Sequence, residues 1–177
     1  MDQPRGILVF GANGSGKTTL ARELARLLQY KHMDVEEYHF NPSDIPYTNP
    51  RTREECGRLM LADIKQYGSF VISSVTGDFG EEIVSMYGLA VYITAPKDMR
   101  MKRIEQRGYD QYGDRVRPGG DMFEQQLGFR EWAASRPLSK IDAWAETLKC
   151  PVIHLDGTID WRENAKRIAQ VIERMFI

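Results

Sequence analysis

Apolar and polar residues follow two rhythms along this chain. Short continuous apolar runs lie at residues 6–10, 70–75, 89–94 and 152–155, with a weaker one at 30–33. Their length and abrupt ends predict strands buried on both faces. Between them apolar residues recur every three or four positions: Leu20, Leu24, Leu27 and Leu28; then Cys56, Leu59, Met60, Ile64 and Tyr67; then Ala165, Ile168, Ala169, Ile172 and Met175. That spacing puts one apolar stripe on each of three helices. Further helices are predicted at 97–107, from Asp121 to about Ser135, and around 139–148, with a short one ending near Tyr87. Five strands alternating with helices imply an α/β chain, a parallel sheet covered on both faces.

Breakers mark the rest. Pro42, Pro46 and Pro50 exclude a regular helix or central strand over 41–50. Thr52-Arg53-Glu54-Glu55 reads as a capping box opening the next helix, and Gly68 stops it. Asp121 is placed to cap the helix that follows it. Gly108, Gly113, Gly119, Gly120 and Pro118 predict a mobile loop over 108–120.

The chemistry begins between the first strand and the first helix. Gly11-Ala12-Asn13-Gly14-Ser15-Gly16-Lys17-Thr18 fills every fixed position of the P-loop pattern G-x-x-x-x-G-K-[ST]. Glycines let successive backbone N–H groups face one anion, and the helix start adds its dipole. Gly11, Asn13, Gly14, Ser15, Gly16, Lys17, Thr18 and Thr19 are therefore expected to hold the phosphates of ATP. Lys17 faces the β- and γ-phosphates, and the Thr18 hydroxyl is a ligand for Mg²⁺.

Asp34 and Glu36 follow the second strand, on the edge where ligands of such sheets bind. Asp34 suits Mg²⁺ positioning or proton acceptance, and Glu36 suits orienting an acceptor. Arg100, Arg103 and Arg107 share one helix face, and Arg115 and Arg117 follow in the glycine-rich stretch. Planar cations on a closing loop suit phosphoryl transfer, which assigns Arg103, Arg115 and Arg117 to the chemistry. Tyr38, His39, Phe40, Tyr47 and Arg51 surround the prolines; they either grip an anionic acceptor through a stacked ring or pack the insert onto the core. Trp132, Trp144 and Trp161 are read as packing.

Whole-chain properties narrow the classes. A net charge of −1 gives no electrostatic reason to expect nucleic acid or an anionic membrane as partner. No apolar run approaches the ~20 residues of a membrane span. The five residues before the first strand leave no room for a signal peptide. Cys56 and Cys150 stand alone, as suits a reducing cytosol, so a cytoplasmic location is expected. The length of 177 residues suits one domain, 1–177.

The P-loop, Asp34-Val35-Glu36 and the arginine-rich helix and loop resemble the nucleoside monophosphate kinase and shikimate kinase group of P-loop kinases. The resemblance implies a three-layer fold with sheet order 2-3-1-4-5, an acceptor-binding insert over about 35–68 and a lid over about 108–120. It implies that Asp34 is Mg²⁺-associated and that Glu36 and Arg51 contact the acceptor, with Tyr38 beside them. Arg107 would lie against adenine, Arg115 or Arg117 would act from the lid, and Asp156-Gly157-Thr158 would touch the base. The third strand ends Ser73-Ser74-Val75-Thr76, without the Asp-Gly-Phe-Pro-Arg run of adenylate kinases or the three-glycine turn of shikimate kinases. The acceptor is therefore expected to be neither AMP nor shikimate in the usual pose. The expected function is ATP-dependent phosphoryl transfer to a small polar acceptor, a nucleotide or nucleoside among the candidates. The alternative is a nucleotide-binding regulator with little turnover. A motor-type ATPase fits worse, since no strand ends in a hydrophobic-Asp-Glu motif and the chain is short. Oligomeric state is left open.

Overall fold

The computed structural model describes residues 6–176. Strand β1 (Gly6–Phe10) leads through the P-loop to α1 (Lys17–Leu28), then β2 (Lys31–Asp34), the short α2 (Val35–His39), α3 (Arg53–Tyr67) and β3 (Phe70–Ser74). A one-turn helix α4 (Glu81–Val84) precedes β4 (Tyr87–Thr94) and α5 (Lys97–Tyr112). After a 3₁₀ turn at Gly113–Val116 come α6 (Phe123–Ser135), α7 (Ser139–Ala145), β5 (Val152–Asp156) and α8 (Trp161–Phe176). The five strands form one parallel sheet in the order β2-β3-β1-β4-β5. This is the three-layer arrangement expected from the sequence.

Strand alternation divides the core. Ile7 and Val9 point to one face of β1, where Leu20, Leu24, Ile168 and Ile172 of α1 and α8 cover them. Leu8 and Phe10 point to the other, beneath Met60 and Ile64 of α3 and Ile141 of α7. Phe10 stacks on Tyr92 at 4.7 Å and meets Trp144 edge-on at 5.3 Å, so Trp144 is packing. The Thr52–Glu55 capping box is present, and Gly68 closes α3 in the left-handed region.

Two local expectations are corrected and one short helix is added. Helix α5 does not stop at Arg107 but runs five residues further, to Tyr112. Gly108 is buried inside it against the Gln126 side chain of α6, and close packing offsets the helix-breaking tendency of one glycine. Residues 35–39 form a helix, capped by the Asp34 carboxylate accepting from the Glu36 N–H at 3.2 Å. Asp121 does not cap α6. Its carboxylate is taken by Arg115, and the cap position is Met122, with no side-chain bond.

Candidate active site

Two clefts open at the carboxyl edge of the sheet and meet at the P-loop. The glycines of that loop are fixed by close approach. A Cβ on Gly11 would run into the Ile93 carbonyl of β4, and one on Gly14, whose φ is +80°, into the Arg100 carbonyl of α5. Helix α1 starts at Lys17 with no side-chain cap and no acidic residue in its first turn. Among the described residues, the N–H groups of Gly14, Gly16, Lys17 and Thr18 donate to no protein acceptor, and the buried Ser15 hydroxyl has no partner. Convergent N–H groups left open in this way at a helix start fit an anion supplied by a ligand.

Lys17 is half-buried at the same point. Desolvation lowers its pKa from 10.5 to about 8, the carboxylates of Glu36 and Asp34 pulling it up and the guanidinium groups of Arg107 and Arg100 pushing it down. At pH 7 Lys17 still carries its proton, and arriving phosphate oxygens would hold that proton more firmly.

The first cleft, about 480 Å³, runs from Gly14–Thr19 to the turn after β5 and α8. Thr19 is exposed on its wall, and Gly157, Thr158 and Trp161 lie opposite. The turn is held by Asp156, whose carboxylate accepts from the Thr158 N–H at 2.8 Å and its hydroxyl at 2.7 Å. Gly157 packs closely; a Cβ there would lie 2.7 Å from the Ser15 carbonyl and 2.8 Å from that of Thr94. The second cleft, about 600 Å³, is bounded by Asp34 and Glu36 at the end of β2, by Ser73 to Thr76 at the end of β3, and by α6. Asn13, Lys17 and Thr18 form its inner end, so Lys17, Thr18 and Arg107 face both clefts.

The arginines divide into three groups. Arg100 is buried, donating to the Ala95 and Asn13 carbonyls at 3.2 Å each. Arg103 donates to the Ser15 carbonyl at 3.2 Å and to the Gly157 carbonyl at 2.7 Å. Both therefore clamp the P-loop from below, and Arg103 ties it to the β5 turn. Arg107, a turn further along, has no hydrogen-bond or ion-pair partner among the described residues and faces both clefts. Arg115 and Arg117 form the third group. Arg115 makes a bidentate pair with Asp121 at 2.9 and 2.8 Å and donates to the Asp44 carbonyl at 3.2 Å. Arg117 stacks on the Tyr109 ring at 4.5 Å and bonds its hydroxyl at 2.8 Å. Neither lines the two clefts.

Two residues expected at an acceptor lie elsewhere. One nitrogen of Arg51 donates to the Glu37, Tyr38 and Phe40 carbonyls at 2.9, 3.0 and 2.9 Å, closing the C-terminal end of α2. Tyr38 is buried in the core and donates to Asp63 at 2.5 Å, with its pKa raised first by burial and then by that carboxylate. Basic and aromatic groups, most of them outside the expected set, line the second cleft instead. Arg53 sits at its mouth, ion-paired to Asp78 at 3.3 Å; Arg136 stacks on Trp132 at 4.6 Å; and His39 lies in its wall. Phe129, Trp132 and Arg136 repeat at i, i+3 and i+7 on α6. That helical spacing was the available signal, and it reads equally as packing.

Comparison with known proteins fits this geometry. The chain is 28% identical over 174 residues to the uncharacterized protein YqaC of Bacillus subtilis (strain 168), covering 93% of this chain and 95% of that one. The shikimate kinase of Acinetobacter baumannii, solved in complex with shikimate, superposes with a TM-score of 0.56 at 21% identity, over 96% of this chain and 93% of that one. The gluconokinase of Sinorhizobium meliloti 1021 gives 0.55 at 16% identity, over 99% and 95%. At these identities the structural matches establish the fold, that of P-loop small-molecule kinases. No helix among the described residues is long and apolar enough to cross a membrane. A family model for the AAA domain matches residues 7–127, from β1 through the P-loop and all three arginine groups into α6, and the chain belongs to that family.

Proposed function

We propose that this protein is an ATP-dependent kinase of a small polar acceptor. The observation that carries the reading is the second cleft. A protein that only binds or hydrolyses a nucleotide needs one cleft at its P-loop; here a second, of about 600 Å³, opens on the same lysine. Strand β3, beside the P-loop strand, ends in Ser73 and Ser74 rather than in carboxylates that would activate water. The carboxylates Asp34 and Glu36 stand instead across the second cleft, where an acceptor would lie.

In this reading ATP occupies the first cleft, its phosphates on the open N–H groups of the P-loop. An acceptor hydroxyl or phosphate oxygen bonds to the γ-phosphorus as the bond to the β–γ bridging oxygen breaks. ADP leaves with that electron pair, and a hydroxyl acceptor gives its proton to the Asp34–Glu36 pair. Lys17 and Arg107 face the charge that develops on the transferred group. Mg²⁺ fits the donors present. Thr18 and Asp34 offer a hydroxyl and a carboxylate in one cleft, and no cluster of three or more His, Cys, Asp or Glu among the described residues could hold an ion alone. That suits a cation bound largely through phosphate and water. When bound it would neutralise phosphate charge. Residues 113–122, carrying Arg115 and Arg117, act as the lid in this reading, and 35–68 as the acceptor insert.

The test is ADP release from ATP over a panel of nucleosides, nucleoside monophosphates and polyols. An acceptor-dependent rise that disappears in Lys17→Ala supports the kinase. ATP binding without any such rise would leave a nucleotide-binding regulator.

A further inference from the structure

A third cavity, about 420 Å³, lies on the far side of the second cleft from the P-loop. It is walled by Phe40 and Tyr47 of the proline-rich insert, Tyr112 of α5, and Phe129 and Trp132 of α6. Phe40, Phe129 and Trp132, with Glu36 and Arg107, also line the second cleft, so the two cavities share a wall. The rings form a box. Phe40 and Tyr47 meet edge-on with centroids 5.3 Å apart, and Phe129 and Trp132 tilt together at 5.8 Å. The polar groups in the walls are mostly uncharged amides: Gln111, Gln125 and Gln126.

Two features set this cavity apart from ordinary packing between helices. Tyr47 holds its backbone at φ +66°, a region that β-carbon sterics disfavour and that persists only where the surroundings impose it. Gln125 donates from Nε2 to the Pro46 carbonyl at 2.8 Å, which fixes its amide, and its Oε1 is buried with no donor among the described residues. That bond ties the insert to α6 beside the cavity, so the walls are held in place without a ligand.

We infer that this box is the distal half of the acceptor site and binds a flat, uncharged heteroaromatic ring. The inference rests on the kinase reading and names its substrate class: a heteroaromatic alcohol or its phosphate, rather than an open-chain or alicyclic polyol. Aromatic side chains stack on the ring faces, an interaction that tolerates many rings because each has a π-face. The oxygen-bearing end of the molecule then reaches across Glu36 and Arg107 toward Lys17, along the wall that the two cavities share. A polyol would leave the aromatic walls without a partner and its own hydroxyls facing apolar carbon.

The test is direct binding to the full-length protein, with the ATP cleft filled by a non-hydrolysable ATP analogue. Uridine, cytidine and 3-hydroxymethylpyridine are the ring probes, and gluconate and shikimate are the polyol probes, each followed by ligand-observed NMR and calorimetry. Tyr47→Ala and Trp132→Ala serve as variants. Both side chains are exposed at the cavity rim, so the fold tolerates them, and an unchanged thermal midpoint checks this. At least one ring probe is expected to bind, and each variant to weaken it by about tenfold, as expected for loss of one stacked ring, with affinity for the ATP analogue changed less than twofold. Polyols binding as tightly as every ring probe, or ring binding that ignores both variants, would overturn the inference. So would binding of no ring probe. The kinase reading fails separately: ring binding that never stimulates ADP release leaves the box standing and removes the kinase, whereas polyol-stimulated ADP release with no ring binding does the reverse.

Discussion

The P-loop and the 113–122 segment are both rich in glycine and both lie near arginines, yet they stand in opposite states. In the P-loop the donors are open. Among the described residues, the N–H groups of Gly14, Gly16, Lys17 and Thr18 have no protein partner, and the loop is clamped from beneath by Arg100 and Arg103. In the 113–122 segment the donors are taken. Arg115 is held by Asp121 and Arg117 by Tyr109 and Asp114. The first region needs no rearrangement to receive phosphate. The second must exchange an internal partner for a ligand before its arginines can act. Preorganised donors contribute to ground-state binding, while donors released only on closure contribute to the transition state.

Lys17 gives the largest expected effect. Lys17→Met should lower turnover at least a hundredfold. It should also raise the unfolding midpoint at pH 7 by about 3 °C, since a desolvated charge is removed. The sign follows from its lowered pKa. Between about pH 8 and 10.5 the unfolded chain holds a proton on Lys17 that the folded chain does not, so stability rises with pH across that window. ATP affinity of the free protein runs the other way and weakens as pH passes about 8. Calorimetric melts from pH 7 to 10.5 should show the first trend in the parent protein and lose it in Lys17→Met. A parent curve that falls with pH would mean that Lys17 is not desolvated.

Arg107 and Arg103, four residues apart on α5, separate a ligand-facing charge from a structural one. Arg107→Ala should lower kcat/KM by about a hundredfold with a thermal midpoint within 1 °C, because no protein partner is lost. Arg103→Ala should destabilise by about 1.5–3 kcal/mol, since the Ser15 and Gly157 carbonyls lose a charged donor, and weaken ATP binding with it. Urea melts paired with kinetics decide between them. Equal stability losses would mean that Arg107 carries structure as well.

Much of this layout was legible in the sequence, and the exceptions share a cause. Strands, the P-loop and the Thr52 capping box are written in contiguous residues, where local pattern and final structure coincide. The sheet order came with the kinase resemblance carried by the P-loop and by Asp34-Val35-Glu36. What contiguous reading could not reach is competition for partners in space. Arg51 suits an anion by residue type, but the carbonyls ending α2 lie within its reach and take its donors. Gly108 breaks helices in isolation, but Gln126 from α6 packs over it. Trp132 at helical spacing reads as core or rim packing, but α6 turns it half outward, 48% exposed, to wall two cavities.

The smallest expected effect is the sharpest test of the two-state contrast. Asp121→Asn keeps the shape of the side chain but removes the charge that holds Arg115. If 113–122 is a lid whose arginine must be released, Asp121→Asn should raise kcat by about two- to fivefold at unchanged ATP affinity, because closure no longer breaks an ion pair. Arg115→Ala should lower kcat about tenfold, again with ATP affinity unchanged, and the double variant should match Arg115→Ala alone. That asymmetry matters, because a purely structural pair would lose activity equally from either side. The pair is solvent-exposed, so neither variant should move the melt by more than a degree. Raising salt to 0.5 M should mimic Asp121→Asn in the parent protein and change nothing in the variant. Steady-state kinetics of the four proteins at two salt concentrations measure all of this. Equal losses in Asp121→Asn and Arg115→Ala would make the ion pair a fixed brace within the 113–122 segment and would remove Arg115 from the reaction.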